Sequence, residues 1–189
     1  MEKTLLLKAL KSEIELTTGC TDPGAVCLAV RRAARELGCT PERVIVTVSP
    51  NIYKNGINVG VPGTGMRGLG IAAALGAVIE SLDSGLALFN NIAPGDVERA
   101  TLLVNKGGVI IRHADTPSPL YIKAEVFSGP RKAHAVIRDD YTNIVEVSRD
   151  GEIISFPGQK QADMTRVALK DYPLKELFAS IETMTSQDL

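Results

Sequence analysis

An α+β fold is what this 189-residue sequence predicts, with helices around a glycine-rich loop packed against a mainly antiparallel sheet. Three observations carry the prediction. Apolar residues recur at helical spacing near the N-terminus and again over residues 69–79. From residue 109 the period changes to two, in short segments joined by Gly, Pro and Asp. Between these halves, residues 49–68 hold five glycines, two prolines and three asparagines, a composition that bends the chain and builds little core. Helices gathered on one face of a sheet is the layer arrangement that such a division favours.

The elements follow in order. Residues 3–16 place Leu5, Leu6, Leu7, Leu10, Ile14 and Leu16 on roughly one helical face. Gly19 can end that helix, and Thr21 or Asp22 can cap the next, with Pro23 in its first turn. The second helix spans about 23–37 and stops at Gly38. Residues 44–48 read as a strand, residues 49–65 as a long loop, and the Ala-rich run 69–79 as a buried helix. A turn at Asp83-Ser-Gly85 precedes another helix that begins at Pro94, carries acids in its first turn and stops at Gly107-Gly108. Strands are predicted over 109–113, 120–127, 132–138, 143–148 and 152–154, and their alternation indicates antiparallel pairing. The tail from Gln159 is polar and then weakly helical around 174–181. No repeat or low-complexity linker interrupts the chain, so residues 1–189 read as a single α+β domain.

Composition excludes several functions. A formal net charge of −1 gives no electrostatic case for nucleic acid or an anionic membrane. The longest nearly uncharged apolar stretch, 69–79, is too short to span a bilayer. The N-terminal apolar run breaks at Lys8, which does not suit a secretory signal. Three cysteines, an odd number, argue for a reducing cytoplasm rather than a disulfide framework. There is no Cys-x-x-Cys, and His113 and His134 are far from any cysteine in sequence, so a self-contained zinc site is not expected.

Two places stand out chemically. The stretch 49–65 combines glycines that permit close backbone approach with Asn and Thr donors and acceptors and the Lys54 charge; the alternative is a long tight connection without a ligand. A helix starting just beyond Gly63-Thr-Gly65 would turn its free N–H groups back on this loop and favour an anion. Cys20 precedes a helix start, where the helix dipole favours thiolate and lowers the thiol pKa. It is either a reactive or ligating thiol or an incidental loop cysteine. Cys27 reads as a core residue and Cys39 as a packing or surface residue. His134 reads as a half-buried, hydrogen-bonded histidine on a strand.

Several long words of this sequence resemble one family. Gly19-Cys-Thr-Asp-Pro-Gly-Ala25, Val48-Ser-Pro-Asn-Ile-Tyr-Lys-Asn-Gly-Ile-Asn-Val-Gly-Val-Pro-Gly-Thr-Gly65 and Ile71-Ala-Ala-Ala-Leu-Gly-Ala77 are similar to the L-cysteine desulfidase family, UPF0597, which is related to the alpha chain of iron–sulfur L-serine dehydratases. His134-Ala-Val-Ile137, Thr142-Asn-Ile-Val-Glu-Val147 and Arg149-Asp-Gly-Glu-Ile153 extend the resemblance. The family pattern after Gly-Cys-Thr is Glu-Pro-Ala, where this chain has Asp22-Pro23-Gly24.

The resemblance implies α,β-elimination of L-cysteine to pyruvate, ammonia and sulfide, or of L-serine to pyruvate and ammonia. It implies a [4Fe–4S] cluster in the complete enzyme, held mainly by cysteines of a helical C-terminal half that this chain does not contain. That half would be a missing part or a separate subunit, and this chain alone would lack the cluster. Cys20 corresponds to the family's N-terminal cysteine, as base or as cluster ligand. Asn51, Lys54, Asn55, Gly63, Thr64 and Gly65 are the candidates for contacts with substrate carboxylate and ammonium, on residue chemistry more than on the family. The expected assembly is a cytoplasmic homo-oligomer. A non-catalytic amino-acid-binding or regulatory domain, and a purely structural half, are the alternatives.

Overall fold

The computed structural model describes residues 3–13, 16–80, 85–155 and 172–185. They fall into two compact units, one spanning residues 16–159 and a smaller one formed by residues 1–15 and 160–189. The predicted turn at Asp83 lies in part outside the described residues, as does the polar start of the tail.

The larger unit is the α+β fold that the sequence predicts. Helix α2 (Thr21–Leu37) leads to strand β1 (Arg43–Val48), then to α3 (Pro50–Gly56), α4 (Leu69–Val78), a 3₁₀ turn (Leu88–Asn91) and α5 (Pro94–Asn105). Strands β2 (Val109–His113), β3 (Tyr121–Ser128), β4 (Arg131–Arg138), β5 (Ile144–Arg149) and β6 (Glu152–Ser155) complete it. They form one six-stranded sheet in the order β2-β1-β3-β4-β5-β6. From β3 to β6 the sheet is an antiparallel meander, as the alternation predicts. β1 and β2 instead run parallel, which the crossover through α3, α4 and α5 makes possible. The β5–β6 hairpin turns through Asp150 and Gly151, both at positive φ, the backbone that matches strand twist in a two-residue turn.

The core lies on one face of this sheet. Val44, Val46 and Val48 of β1, Ile122, Ala124 and Val126 of β3, and Ala133, Ala135 and Ile137 of β4 are all buried. Their period of two puts them together on that face. Helix α2 packs on β3 and β4, α4 packs beside α2, and α5 packs on α4. Helix α4 is buried all round, which explains its Ala-rich composition without a polar stripe. Helix α3 occupies residues that the sequence assigns to a loop; Pro50 at its first turn starts it, in a position where a missing N–H costs nothing.

Helices α2 and α4 meet almost backbone to backbone. A β-carbon on Gly76 would lie 2.4 Å from the carbonyl oxygen of Cys27 and 2.9 Å from Cβ of Val30. Past the far end of α2, Gly38 takes a left-handed conformation and donates its N–H to Ala34 O at 3.1 Å. Arg131 donates a guanidinium hydrogen bond to the carbonyl of Leu37.

In the smaller unit, α1 (Lys3–Glu13) and α6 (Leu174–Glu182) touch. Leu6 and Ala9 are buried, while Leu174, Phe178 and Ile181 form an exposed stripe along α6. No described helix is long and apolar enough to cross a membrane.

The two glycines of α4 should respond to alanine with opposite signs. At Gly76 the added carbon meets a backbone carbonyl that cannot move aside, so Gly76→Ala is expected to destabilise the chain by about 1–3 kcal/mol. Nothing stands within 4 Å of the β-carbon position at Gly70, so Gly70→Ala is expected to stabilise by about 0.5–1 kcal/mol. Urea unfolding midpoints read both, and shifts of the same sign would contradict the close crossing.

Candidate functional site

The site forms where the start of α2 meets the glycine-rich loop. Gly19, at φ 79°, turns the chain into the helix, and Cys20 takes the extended N-cap backbone with φ −76° and ψ 140°. The cap is therefore Cys20 and not Thr21 or Asp22, because the Gly19 turn lets the helix begin at Thr21. The carbonyl of Cys20 accepts the N–H of Gly24 at 3.3 Å. The Gly19 backbone lies under Pro62, since a β-carbon there would come within 2.6 Å of the proline Cγ. Alongside, Thr18 donates its N–H to Leu86 O at 3.3 Å, and its Oγ1 lies 2.6 Å from Asn90 Oδ1.

The loop from Val59 to Gly68 is built from its own hydrogen bonds. Val61 N–H donates to Met66 O, and Gly68 N–H to Val59 O, both at 2.9 Å. Gly63 and Gly65 take φ of 77° and 67°, a region closed to most side chains. Thr64 donates its hydroxyl to Val61 O at 2.7 Å and accepts the N–H of Met66 at 2.9 Å. Its hydroxyl thus holds the turn together.

Asp22 is the central charged group. It is 4% exposed, and its Oδ2 lies 3.5 Å from the Cys20 sulfur. Burial pushes its carboxyl above the usual carboxylate range, while the Cys20 thiol, its own backbone N–H and the Asn55 amide pull the other way. Asn55 comes close enough to favour the charged form, yet Oδ1 has no hydrogen-bond partner among the described residues. A buried carboxylate oxygen without a donor is costly and marks a place where a ligand's N–H or O–H gains by binding.

The Cys20 thiol is also pushed up, not down as its position at a helix start suggests. Burial is the largest cause, and the neighbouring Asp22 carboxylate adds to it through its charge and hydrogen bond. The backbone N–H groups of Thr21 and Asp22 do lower the value, as a helix start should, but they do not prevail. Cys27 is fully buried, and burial pushes its thiol up strongly. Cys39 is exposed, beyond the other end of α2.

Of the residues singled out from sequence, Cys20, Asn55 and the Pro62–Gly63 segment come together here. Asn51 and Asn55 are four residues apart on α3 and share a face. Lys54 is exposed, with no acidic partner within ion-pair distance among the described residues. Sequence reasoning missed Asp22 as a site residue by assigning it to the cap; its signal was a carboxylate two residues after a cysteine. It also missed the Thr18–Asn90 contact, and Tyr53, whose ring packs 4.0 Å from that of His113 at 44°.

Curated relatives supply the context. A UPF0597 protein of Methanocella arvoryzae is 67% identical over 189 residues, all of this chain and 44% of the relative. The chain belongs to the UPF0597 family. UPF0597 proteins of Photobacterium profundum and Oleidesulfovibrio alaskensis are 40% and 41% identical over 77% and 79% of this chain, and 34% and 35% of their own lengths. The chain therefore spans less than half the length of the UPF0597 relatives it matches. No protein-family profile and no solved structure matches it.

The residues described do not fit a cubane iron–sulfur cluster, which takes about four ligands in a compact shell. Cys20 could give one bond. Cys27 is enclosed within α2, and Cys39 lies past the end of that 17-residue helix, on the order of 25 Å away at about 1.5 Å per residue. Among the described residues, no group of three or more His, Cys, Asp or Glu could hold a metal ion.

Alkylation with iodoacetamide tests the electrostatics. The rate-against-pH midpoint at Cys20 should lie above the ordinary thiol value of about 8.5 and fall in Asp22→Asn, with Cys27 the slowest thiol. A midpoint below the ordinary value in the unsubstituted chain would mean that the helix start outweighs burial.

Proposed function

We propose that this chain forms the substrate-binding part of an amino-acid lyase that carries out α,β-elimination of L-cysteine, giving pyruvate, ammonia and sulfide, or of L-serine, giving pyruvate and ammonia. The reading rests on the pair formed by Cys20 and the buried Asp22, set beside Asn55 under the glycine-rich loop. A [4Fe–4S] cluster, supplied by the part of the family architecture that this chain does not match, would provide Lewis acidity.

Elimination removes the α-proton, breaks the bond from Cβ to sulfur or oxygen, and leaves an enamine that hydrolyses to pyruvate and ammonia. The chain's own residues serve the proton and the substrate's ends. A thiol with a raised pKa is, once ionised, a stronger base than an ordinary thiolate, and Cys20 is the partly exposed group at the helix start, among the described residues, that can accept the α-proton. The Asp22 carboxyl behind Cys20 supplies negative charge that favours the substrate ammonium nearby. Asn51, Asn55 and Lys54 offer donors to the carboxylate from the solvent side of α3. Gly63 and Gly65 form the positive-φ turn that follows Pro62, the residue packed on Gly19.

The test combines this chain with the remaining portion of the Methanocella arvoryzae relative, prepared without oxygen with iron and sulfide. Cys20→Ser is expected to lower kcat for pyruvate release by about 100-fold or more, the usual scale for a general base, with an unchanged unfolding midpoint. Unaltered turnover would overturn the assignment of Cys20. Amino-acid binding with no turnover in the unsubstituted assembly would favour the non-catalytic binding module. The chain by itself is expected to hold no stoichiometric cluster and to release no pyruvate. A brown, active preparation of residues 1–189 would refute that.

A further inference from the structure

The face of the sheet turned away from α2 and α4 carries a second polar constellation. His134 of β4 stands directly across from Ser148 of β5 and from Glu125 of β3. Ser148 Oγ lies 2.7 Å from Nδ1 of His134, and Glu146 Oε1 lies 2.5 Å from Nε2. Ser148 is 3% exposed, while His134 and Glu146 are half-buried, so the network has a buried end at the serine. When Nε2–H donates to Glu146 and Nδ1 is bare, the serine hydroxyl donates to the ring. When Nδ1–H donates to Ser148 Oγ instead, the serine hydroxyl is free to donate to a third group.

That third group has a place to sit. A cleft of about 210 Å³ opens beside the network, with Phe127 as its apolar side chain and Lys123 and Lys132 on its rim. Its acids are already engaged. Glu125 pairs with Lys123 at 3.2 Å, Glu146 with His134, and Asp150 accepts the backbone N–H of Lys132 at 2.9 Å. Of the cations lining the cleft, the Lys132 ammonium has no carboxylate partner among the described residues. The Phe127 side chain, the Lys132 ammonium and the Ser148 hydroxyl beside His134 are the parts of a site for an anion with a short hydrocarbon body.

We propose that this cleft binds a small monocarboxylate, its oxygens between Lys132 and the Ser148–His134 pair and its body against Phe127. The sheet separates it from Cys20, and it depends on none of the residues assigned to the elimination reaction.

Titration of the isotope-labelled chain with sodium butyrate, followed by NMR, tests this. Butyramide serves as the uncharged isostere, and sodium chloride is matched for ionic strength. Saturable shifts at Phe127, His134 and Ser148 are expected with butyrate and absent with butyramide. The exposed substitution Lys132→Met should weaken butyrate binding at least fivefold without moving the unfolding midpoint, and His134→Gln should weaken it similarly. Equal shifts with butyramide or chloride, saturation at Lys54 and Asn55 instead, or full affinity in Lys132→Met would each overturn the proposal.

Discussion

The close crossing of α2 and α4 at Gly76 constrains where everything else can stand. With 2.4 Å between the Gly76 β-carbon position and the Cys27 carbonyl, the helices approach as nearly as glycine allows. At that separation both can lie on the same sheet face, α2 over β3 and β4 and α4 beside it. The small side chains of both helices follow from this. Ala25, Ala29 and Ala33 of α2 and Ala72, Ala73 and Ala74 of α4 are all buried, and bulkier residues would force the layers apart. The loop that enters α4 then passes over the start of α2, so that Pro62 rests on Gly19.

Placing the start of α2 in that corner sets up a contest between two fields. A helix start favours negative charge by about 0.3–1 kcal/mol, which is less than one pKa unit. Removing a thiolate or a carboxylate from water works against this, and a second acid close by adds to the penalty for the first. Here burial makes both Asp22 and Cys20 hold their protons more firmly than in water; Asp22 adds to the rise at Cys20, while the Cys20 thiol works against the rise at Asp22. A helix N-terminus lowers a thiol pKa when solvent also reaches the sulfur. When the chain folds a loop over it, burial decides the direction.

The fold was legible where side-chain period reports it. Alternation marked the strands of the meander to within a residue or two, and the apolar run 69–79 marked α4. The parallel pairing of β1 with β2 was not legible, because a short apolar strand looks the same whichever way its neighbour runs. Helix α3 was hidden by Pro50, Gly56 and two asparagines, which also make good loops. The division into two units left no mark in composition, since it arises from the two ends of the chain and not from a linker. Glycine-rich patterning marked the loop and the positive φ at Gly63 and Gly65. Side-chain type alone could not say that the Thr64 hydroxyl turns inward on its own loop, or that Asp22 is buried with one oxygen unpartnered.

Distances along α2 also limit what chemistry this part of the family architecture can hold by itself. A straight 17-residue helix keeps Cys20 and Cys39 at opposite ends, and Cys27 between them faces a packed core. Bringing these thiols around one cluster would require unwinding the helix whose crossing with α4 organises the layer. The fold therefore buries Cys27, leaves Cys39 exposed past one end of α2, and at the other end sets Cys20 beside Asp22 and the glycine-rich loop. The groups gathered around that cysteine are a buried acid, an amide and a glycine-rich turn, which suit holding a small polar molecule and moving a proton. Any metal chemistry at this site has to arrive on ligands from elsewhere.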